Sequence, residues 1–359
     1  MALVDVTWEI YAAAEDGVDG YSSVSAWEAA THGDLVAADE RHIGEMWNEN
    51  FAEQLDLDGS TTDATRYRWL RAKSGADFNH VTALAAGADP GARMVVTASA
   101  NTDILYVQEA YSRVGGSEGA NSGSVGFKLQ SSGASVQVLW TDTVAAVMLS
   151  QVVIFESSAS VGTITGIIQN STAGLLYNCL AVDISAAAAS KDARGFAVTA
   201  DASTAYNCVA YNINADDPAD DAYGFIGAIT CRNCYGGGIS ATGGDEAFAF
   251  DDAAVVDNYC AADDTTPDGA QSHDSLAGGD CFVSVTGGSE DFHLKASSSL
   301  EGKGATAGTN GYDIDGSVAG ERLDIGIHEY VAPAAGGKPT MRYWGGVPGM
   351  VGGTGRVNW

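Results

Sequence analysis

The chain has 359 residues, with 17 Lys and Arg against 47 Asp and Glu, a net charge of −30, and 45 Gly beside only 6 Pro. Charge of that sign and size repels phosphate backbones and anionic lipid, which argues against nucleic-acid binding and membrane-surface docking. The longest uncharged stretch, Ser157 to Val182, could span a bilayer by length, but Ser, Thr, Gly, Gln and Asn interrupt it throughout, so no membrane helix or membrane insertion is predicted.

The first residues, Met1-Ala2-Leu3-Val4-Asp5, have neither a basic nor an apolar leader character, so no classical signal peptide is expected. Export would then need lysis or a signal-independent route. Tyr21 to Ala30 reads as a short helix capped by a serine, with Trp27 facing inward. Leu35-Val36-Ala37 reads as a helix end and Arg41 to Trp47 as a strand. Phe51 to Leu57 alternates apolar and polar residues into the turn Asp58-Gly59-Ser60, and is read as one strand. Further strands are expected at Tyr67–Ala72, Ala92–Thr97, Ile104–Val107, Tyr111–Val114, Gly126–Leu129 and Ser135–Trp140.

From there a phrase repeats. Gly166-Ile167 is followed by Asn178-Cys179, Gly195-Phe196 by Asn207-Cys208, Gly224-Phe225 by Asn233-Cys234, and Ala247-Phe248 by Asn258-Tyr259-Cys260. The Gly positions are 29 and 29 residues apart and the Asn positions 29, 26 and 25. Ala146–Ile154 matches Tyr177–Val182 at a shift of 28, with Gln151 in the place of Cys. Two landmarks sharing a period in the twenties indicate a stacked repeat, one coil per period. We therefore expect an all-β, single-stranded parallel β-helix of roughly seven to nine rungs, rather than a sandwich whose strands happen to recur. In such a stack the Cys of each coil forms one inward column and the Phe or Ile a second, so Cys179, Cys208 and Cys234, and Phe196, Phe225 and Phe248, are expected to lie over one another. Asn178, Asn207 and Asn233 suit left-handed corners whose side-chain amides bond from coil to coil. The domains are read as residues 1–120 (cap and first coils), 121–330 (β-helix body) and 331–359 (linker and tail).

The order "YSSVSAWEAATHGDLVAADERHIGEMW", "LDLDGSTTDATRYRWLRA", "YVQEAYSRVGG" resembles the entry of a right-handed β-helix family common in phage and environmental sequences. In that family the Trp-bearing helix caps the open end of the first coil. The segments "DFHLKASSSLEGKG" and "DIDGSVAGERLDIGIHEY" are similar to the end of bacterial right-handed β-helix surface proteins, departing from them at Ile327 and His328. The resemblance implies right-handed winding and capped ends. It implies no particular chemistry, because the fold hosts lyases, hydrolases, adhesins and virion parts.

Cys231-x-x-Cys234 lacks the second pair a zinc ribbon needs, and Cys234 already falls on the repeat, so packing explains it better than metal or redox chemistry. The acidic loops Asp216-Asp217-Pro218-Ala219-Asp220-Asp221, Asp251-Asp252 and Asp263-Asp264 are read as solvated turns. Asp313-x-Asp315-Gly316 begins like a calcium loop but has Val318 where the glycine belongs. The six histidines show no ligand spacing. No catalytic residue, cofactor site or metal site is assigned. The tail carries Arg342, Tyr343, Trp344, Met350, Arg356 and Trp359 with no acid, the opposite sign to the body, and is read as an interface. Its phrase "RYWGGVPGM" is similar to C-terminal tails of tailed-phage structural proteins. The expectation is a non-enzymatic virion component (capsid decoration, fibre or spike subunit), assembled in host cytoplasm. Its expected partners are other virion proteins, copies of itself, with a trimer as the simplest closed form, and a host-surface glycan. The alternatives are a carbohydrate-active β-helix, such as a capsule depolymerase or lyase, and a bacterial adhesin at the cell surface.

Overall fold

The computed structural model describes residues 3–11, 20–79, 81, 91–99, 102–116, 123–133, 135–187, 191–217, 219–242, 246–251, 256–267, 269, 271–287, 289–305, 314 and 324–327. Parallel strands stack into a β-solenoid of about six turns, with three short helices among the described residues. Seven successive coils carry a strand on each of the three faces, within the rungs expected. Each turn visits three faces. The first face includes Glu40–Met46, Arg68–Ala72, Met148–Ser150 and Leu175–Tyr177. The second runs through Arg93–Ala98, Val125–Ser131, Val152–Ala159, Leu180–Ala186 and Val209–Ala215. The third runs through Leu55–Leu57, Thr102–Val107, Ser135–Thr141 and Thr163–Gln169, then continues in the first halves of Ala193–Tyr206 and Ala222–Arg232. Phe51 to Leu57 is a corner between faces two and three, not one strand.

The corner between the first and second faces explains the repeat. Gln151, Asn178, Asn207, Asn233 and Tyr259 stack there, all with φ between 51° and 56°. This is left-handed backbone, which Asn adopts at low cost. The next residue of each coil points inward, so Val152, Cys179, Cys208, Cys234 and Cys260 form one buried column. The shift to the preceding coil is thus 27, with Gln151 in the Asn place and Val152 in the Cys place, one residue off the alignment read from sequence. Asn233 Nδ2 donates to Asn207 Oδ1 at 3.1 Å, a rung of the expected amide ladder. All six cysteines are free and buried. Cys231 packs inside the first face, in register with Ala205, and Cys234 lies beyond the corner, so the CxxC divides between two columns.

The inward aromatic column is Leu105, Leu139, Ile167, Phe196, Phe225 and Phe250. Phe196 and Phe225 stack at 4.9 Å and 6°, Phe225 and Phe250 at 4.9 Å and 5°. Phe248 is not a member. It pairs with Tyr223 and tilts against that ring at 6.2 Å, outside the core. The reason is a bend in each third-face strand that turns two successive residues inward, such as Gly224 and Phe225, so residues before and after it keep opposite parity. Glycine suits the bend: a Cβ on Gly195 would lie 2.8 Å from the Gly224 carbonyl oxygen.

Helix α1 (Val24–Ala30) closes the first end. Ser23 Oγ accepts from the Ala26 amide at 2.9 Å, the expected cap. The Glu53 carboxylate accepts from the Val24 and Ser25 amides at 2.6 and 3.1 Å, where the helix dipole favours negative charge. Trp27 is fully buried beneath Gly44, whose Cβ would come within 2.7 Å of the indole. Helix α2 (Leu35–Ala38) follows. At the other end the last coil's edge is met by side-chain acceptors. Asp264 takes the Ala249 amide, Thr266 the Phe250 amide and Ser272 the Cys260 amide.

The C-terminal part packs on the flank. Helix α3 (Gly278–Cys281) leads into Phe282–Ser284, which pairs antiparallel with Asp291–Leu294. Phe282, Phe292, Leu294, Leu300, Ile325 and Ile327 cover Leu180, Val182, Val209 and Tyr235 on the outside of the second face, forming a second core. Asn233 fastens this roof. Its Oδ1 accepts from the Ala305 amide at 2.7 Å, its Nδ2 donates to the Ala305 carbonyl at 2.9 Å, and its carbonyl accepts from the Gly326 amide at 2.8 Å.

Candidate functional site on the third face

The outward side of the third face carries two columns. One is Asp56, Tyr106, Trp140, Ile168, Ala197 and Ile226, and the other is Asp103, Gln137, Thr165, Arg194, Tyr223 and Phe248. Strand register alone puts Tyr106 beside Trp140, and their rings stack at 4.5 Å and 19°. Tyr106 donates its hydroxyl to Asp142 Oδ2 at 2.8 Å. Burial and that bond push the Tyr106 hydroxyl up to about 12. Asp142 is held below the usual carboxylate range, first by the Thr143 amide and then by Tyr106.

Asp103 and Asp56 flank this aromatic pair. Burial, with the charge of Asp56 added, pushes the Asp103 carboxyl up to about 6. A carboxyl raised in this way near one held low, as Asp103 is near Asp142, is the division of labour used for acid–base chemistry at a glycosidic bond. Stacked rings give a rigid apolar plate against which a sugar's C–H face can lie. Sequence reasoning missed this group because Asp56 and Asp103 are separated by a long excursion between coils. The only trace in the sequence is a pair of acids, each within an apolar run, "LDL" and "TDIL".

Two other charged groupings are structural. Glu28, His32 and Asp58 bring three donor atoms together, the one cluster of metal-ligand spacing among the described residues. However, the fully buried Arg68 already supplies the positive charge. Its guanidinium bonds Glu28 Oε1 at 3.0 Å and Glu109 at 3.1 Å, and also reaches the Asp58 carbonyl. This network ties α1 to the first coils, and burial raises the Glu109 carboxyl despite Arg68. On the first face, Arg113 lies 4.2 Å over the Tyr67 ring and Arg71 4.4 Å over Trp69, sheathing two buried aromatics with guanidinium groups.

The expected ladder residues are where the repeat put them, apart from Phe248. The acidic loops are not uniformly solvated: Asp220 is buried and Asp264 caps the last coil. The tail residues Arg342, Tyr343, Trp344, Met350, Arg356 and Trp359, and the calcium-like segment at Asp313 and Asp315, lie outside the described residues. No helix among those described is long and apolar enough to cross a membrane. A comparison of the chain with protein-family models, curated proteins and solved structures finds no match.

Proposed function

We propose that this chain is a non-enzymatic structural rod of an assembled particle, a virion component of a tailed phage serving as capsid decoration, fibre or spike subunit. The observation that supports this reading is the anchoring of the C-terminal part at Asn233. Ile325 and Ile327 are buried on the flank of the second face, and the sequence from Lys338 to Trp359 carries Lys338, Arg342 and Arg356 with aromatic residues and no acid, opposite in sign to the body. A peptide whose charge is opposite to that of the rod suits docking onto a neighbouring subunit, another virion protein or a copy of this chain, with a trimer the simplest closed form. Deleting residues 338–359 tests it. The truncated chain is expected to stay folded and soluble but to be missing from purified particles by mass spectrometry, and its normal incorporation would refute the reading.

The third face favours a second reading, a glycan-binding or glycan-cleaving rod. There Asp103 and Asp56 would serve as the carboxyl pair, with Asp103 as the acid, and Tyr106 with Trp140 as the sugar platform. Incubation with capsular and surface polysaccharides, read by reducing-end release, separates the two. Cleavage lost in Asp103→Asn supports the enzyme, whereas binding lost in Trp140→Ala without any cleavage supports a receptor-binding rod.

A further inference from the structure

The solenoid begins on an open strand edge. Strand β1 (Val4–Ile10) pairs in parallel along its whole length with Glu40–Met46, from Val4 on Glu40 to Ile10 on Met46. On its other side the pairing among the described residues is Glu9 with Gly20 and Ile10 with Tyr21. Strand parity fixes which backbone groups face which way. The Val4 amide donates to the Asp39 carbonyl and the Trp47 amide to the Ile10 carbonyl, both at 3.0 Å, so Val4, Val6, Trp8 and Ile10 turn their backbone groups toward the solenoid. Asp5 and Thr7 turn theirs away from it. Each presents an amide and a carbonyl that have no backbone partner among the described residues.

An edge of this kind is a template for another strand, and its side chains say which one. Asp5 and Thr7 are exposed on the outer surface, in register with Arg41 and Ile43. The charge of Asp5 is already answered, because Arg41 Nε donates to its Oδ1 at 2.8 Å. Val4, Val6 and Trp8 point to the opposite side, where Val4 is 52% exposed and the other two are half-buried.

A second copy of the same edge completes it. With two β1 strands antiparallel about a twofold axis at Val6, Asp5 of each meets Thr7 of the other, and each such pair exchanges both of its N–H···O bonds. Val6 then faces its own counterpart, and Val4 faces Trp8, burying the exposed valine against an indole. The neighbouring registers fail. One sets Asp5 against Asp5, like charges directly opposite. The other sets Asp5 against Glu9, again an acid, whose edge is already taken by Gly20. A body of net charge −30 repels a copy of itself over most of its surface, whereas here the acid carries its own guanidinium.

We propose that β1 is a self-complementary edge through which two copies of this chain join, first coil to first coil, into one continuous sheet. The contact is separate from the C-terminal segment 338–359 and does not depend on it.

Sedimentation equilibrium of the full chain tests this, with circular dichroism and thermal melts as checks on the fold. Wild type is expected to assemble with an even number of copies. Thr7→Pro removes an outward amide and leaves the bonds to Glu40–Met46 in place. It should halve the number of copies at unchanged Tm, the dissociation constant rising about tenfold or more. Thr7→Asp keeps the backbone and sets an acid against Asp5 of the second copy, so it gives the same comparison should Thr7→Pro fail to fold. In the chain lacking residues 338–359 the halving should persist, which reads this contact apart from docking through the tail. A monomeric or odd-numbered wild type overturns the proposal, and so does a folded Thr7→Pro or Thr7→Asp chain that keeps the wild-type mass.

Discussion

The second and third faces are built by the same coils, yet one is roofed and the other carries no cover among the described residues. The difference lies in which side chains point outward. From the second face these are Val153, Phe155, Leu180, Val182, Val209 and Tyr235, an apolar strip that water would penalise, and the C-terminal part covers it. From the third face they are mixed, Asp103, Tyr106, Gln137, Trp140, Thr165 and Arg194 beside Ile168, Ala197, Ile226, Tyr223 and Phe248, so polar groups break up the apolar ones. The solenoid interior is common to both, so the outer strip alone decides whether a face becomes packing or a working surface.

The strongest way to break that contrast is to unroof the second face. Phe282 packs edge-on against Tyr235 at 4.9 Å and against Phe292 at 5.3 Å, and it is almost fully buried. Phe282→Ala is expected to cost about 3–4 kcal/mol in urea unfolding and to expose residues 277–305 to protease, with the solenoid still folded. Next comes the fastening at Asn233. Asn233→Ala removes the bonds to Ala305 and Asn207 and puts Ala in left-handed backbone, for an expected loss of about 2–3 kcal/mol. Asn233→Gly keeps the backbone easy and should lose less, which separates the two contributions.

Changes on the open face should be milder. Trp140→Ala removes one ring of the Tyr106 stack and is expected to cost about 1 kcal/mol, far less than Phe282→Ala, while leaving the roof intact by the same protease assay. The smallest effect is expected at Asp103, and it depends on pH. Its folded-state pKa, about 6, lies above the ordinary value of 3.8, so the fold prefers the protonated form. That preference is fully present below about pH 4 and is lost as pH rises through 6. Asp103→Asn should therefore melt higher than wild type at pH 7.5, by about 1 kcal/mol after solvent screening, and match it at pH 3.5. An equal difference at both pH values would mean that burial of Asp103 is not what shifts it.

The repeat was legible because each coil meets the same packing demand. An inward thiol and a left-handed corner at a near-constant interval are visible in Cys179, Cys208 and Cys234 and in Asn178, Asn207 and Asn233 before any coordinates. The serine cap and buried indole of α1 were equally readable, since both are local. The alignment failed by one residue at Gln151 and in parity at Phe248, where a strand bend reverses inside and outside. A bend leaves no composition signal when its neighbours on both sides are apolar.

Stacked in-register winding is thus what the amino-acid order determines by itself, because like residues one period apart can be buried together only in a column. Which outer face is covered, which acids meet, and where the C-terminal part is fastened were decided only by the tertiary structure. The intervals between coils vary in length, and a roof that crosses several coils answers to the summed outward strip rather than to any one repeat. The charge of Asp56 acts on Asp103, and Ala305 bonds Asn233, across separations that no local sequence pattern encodes.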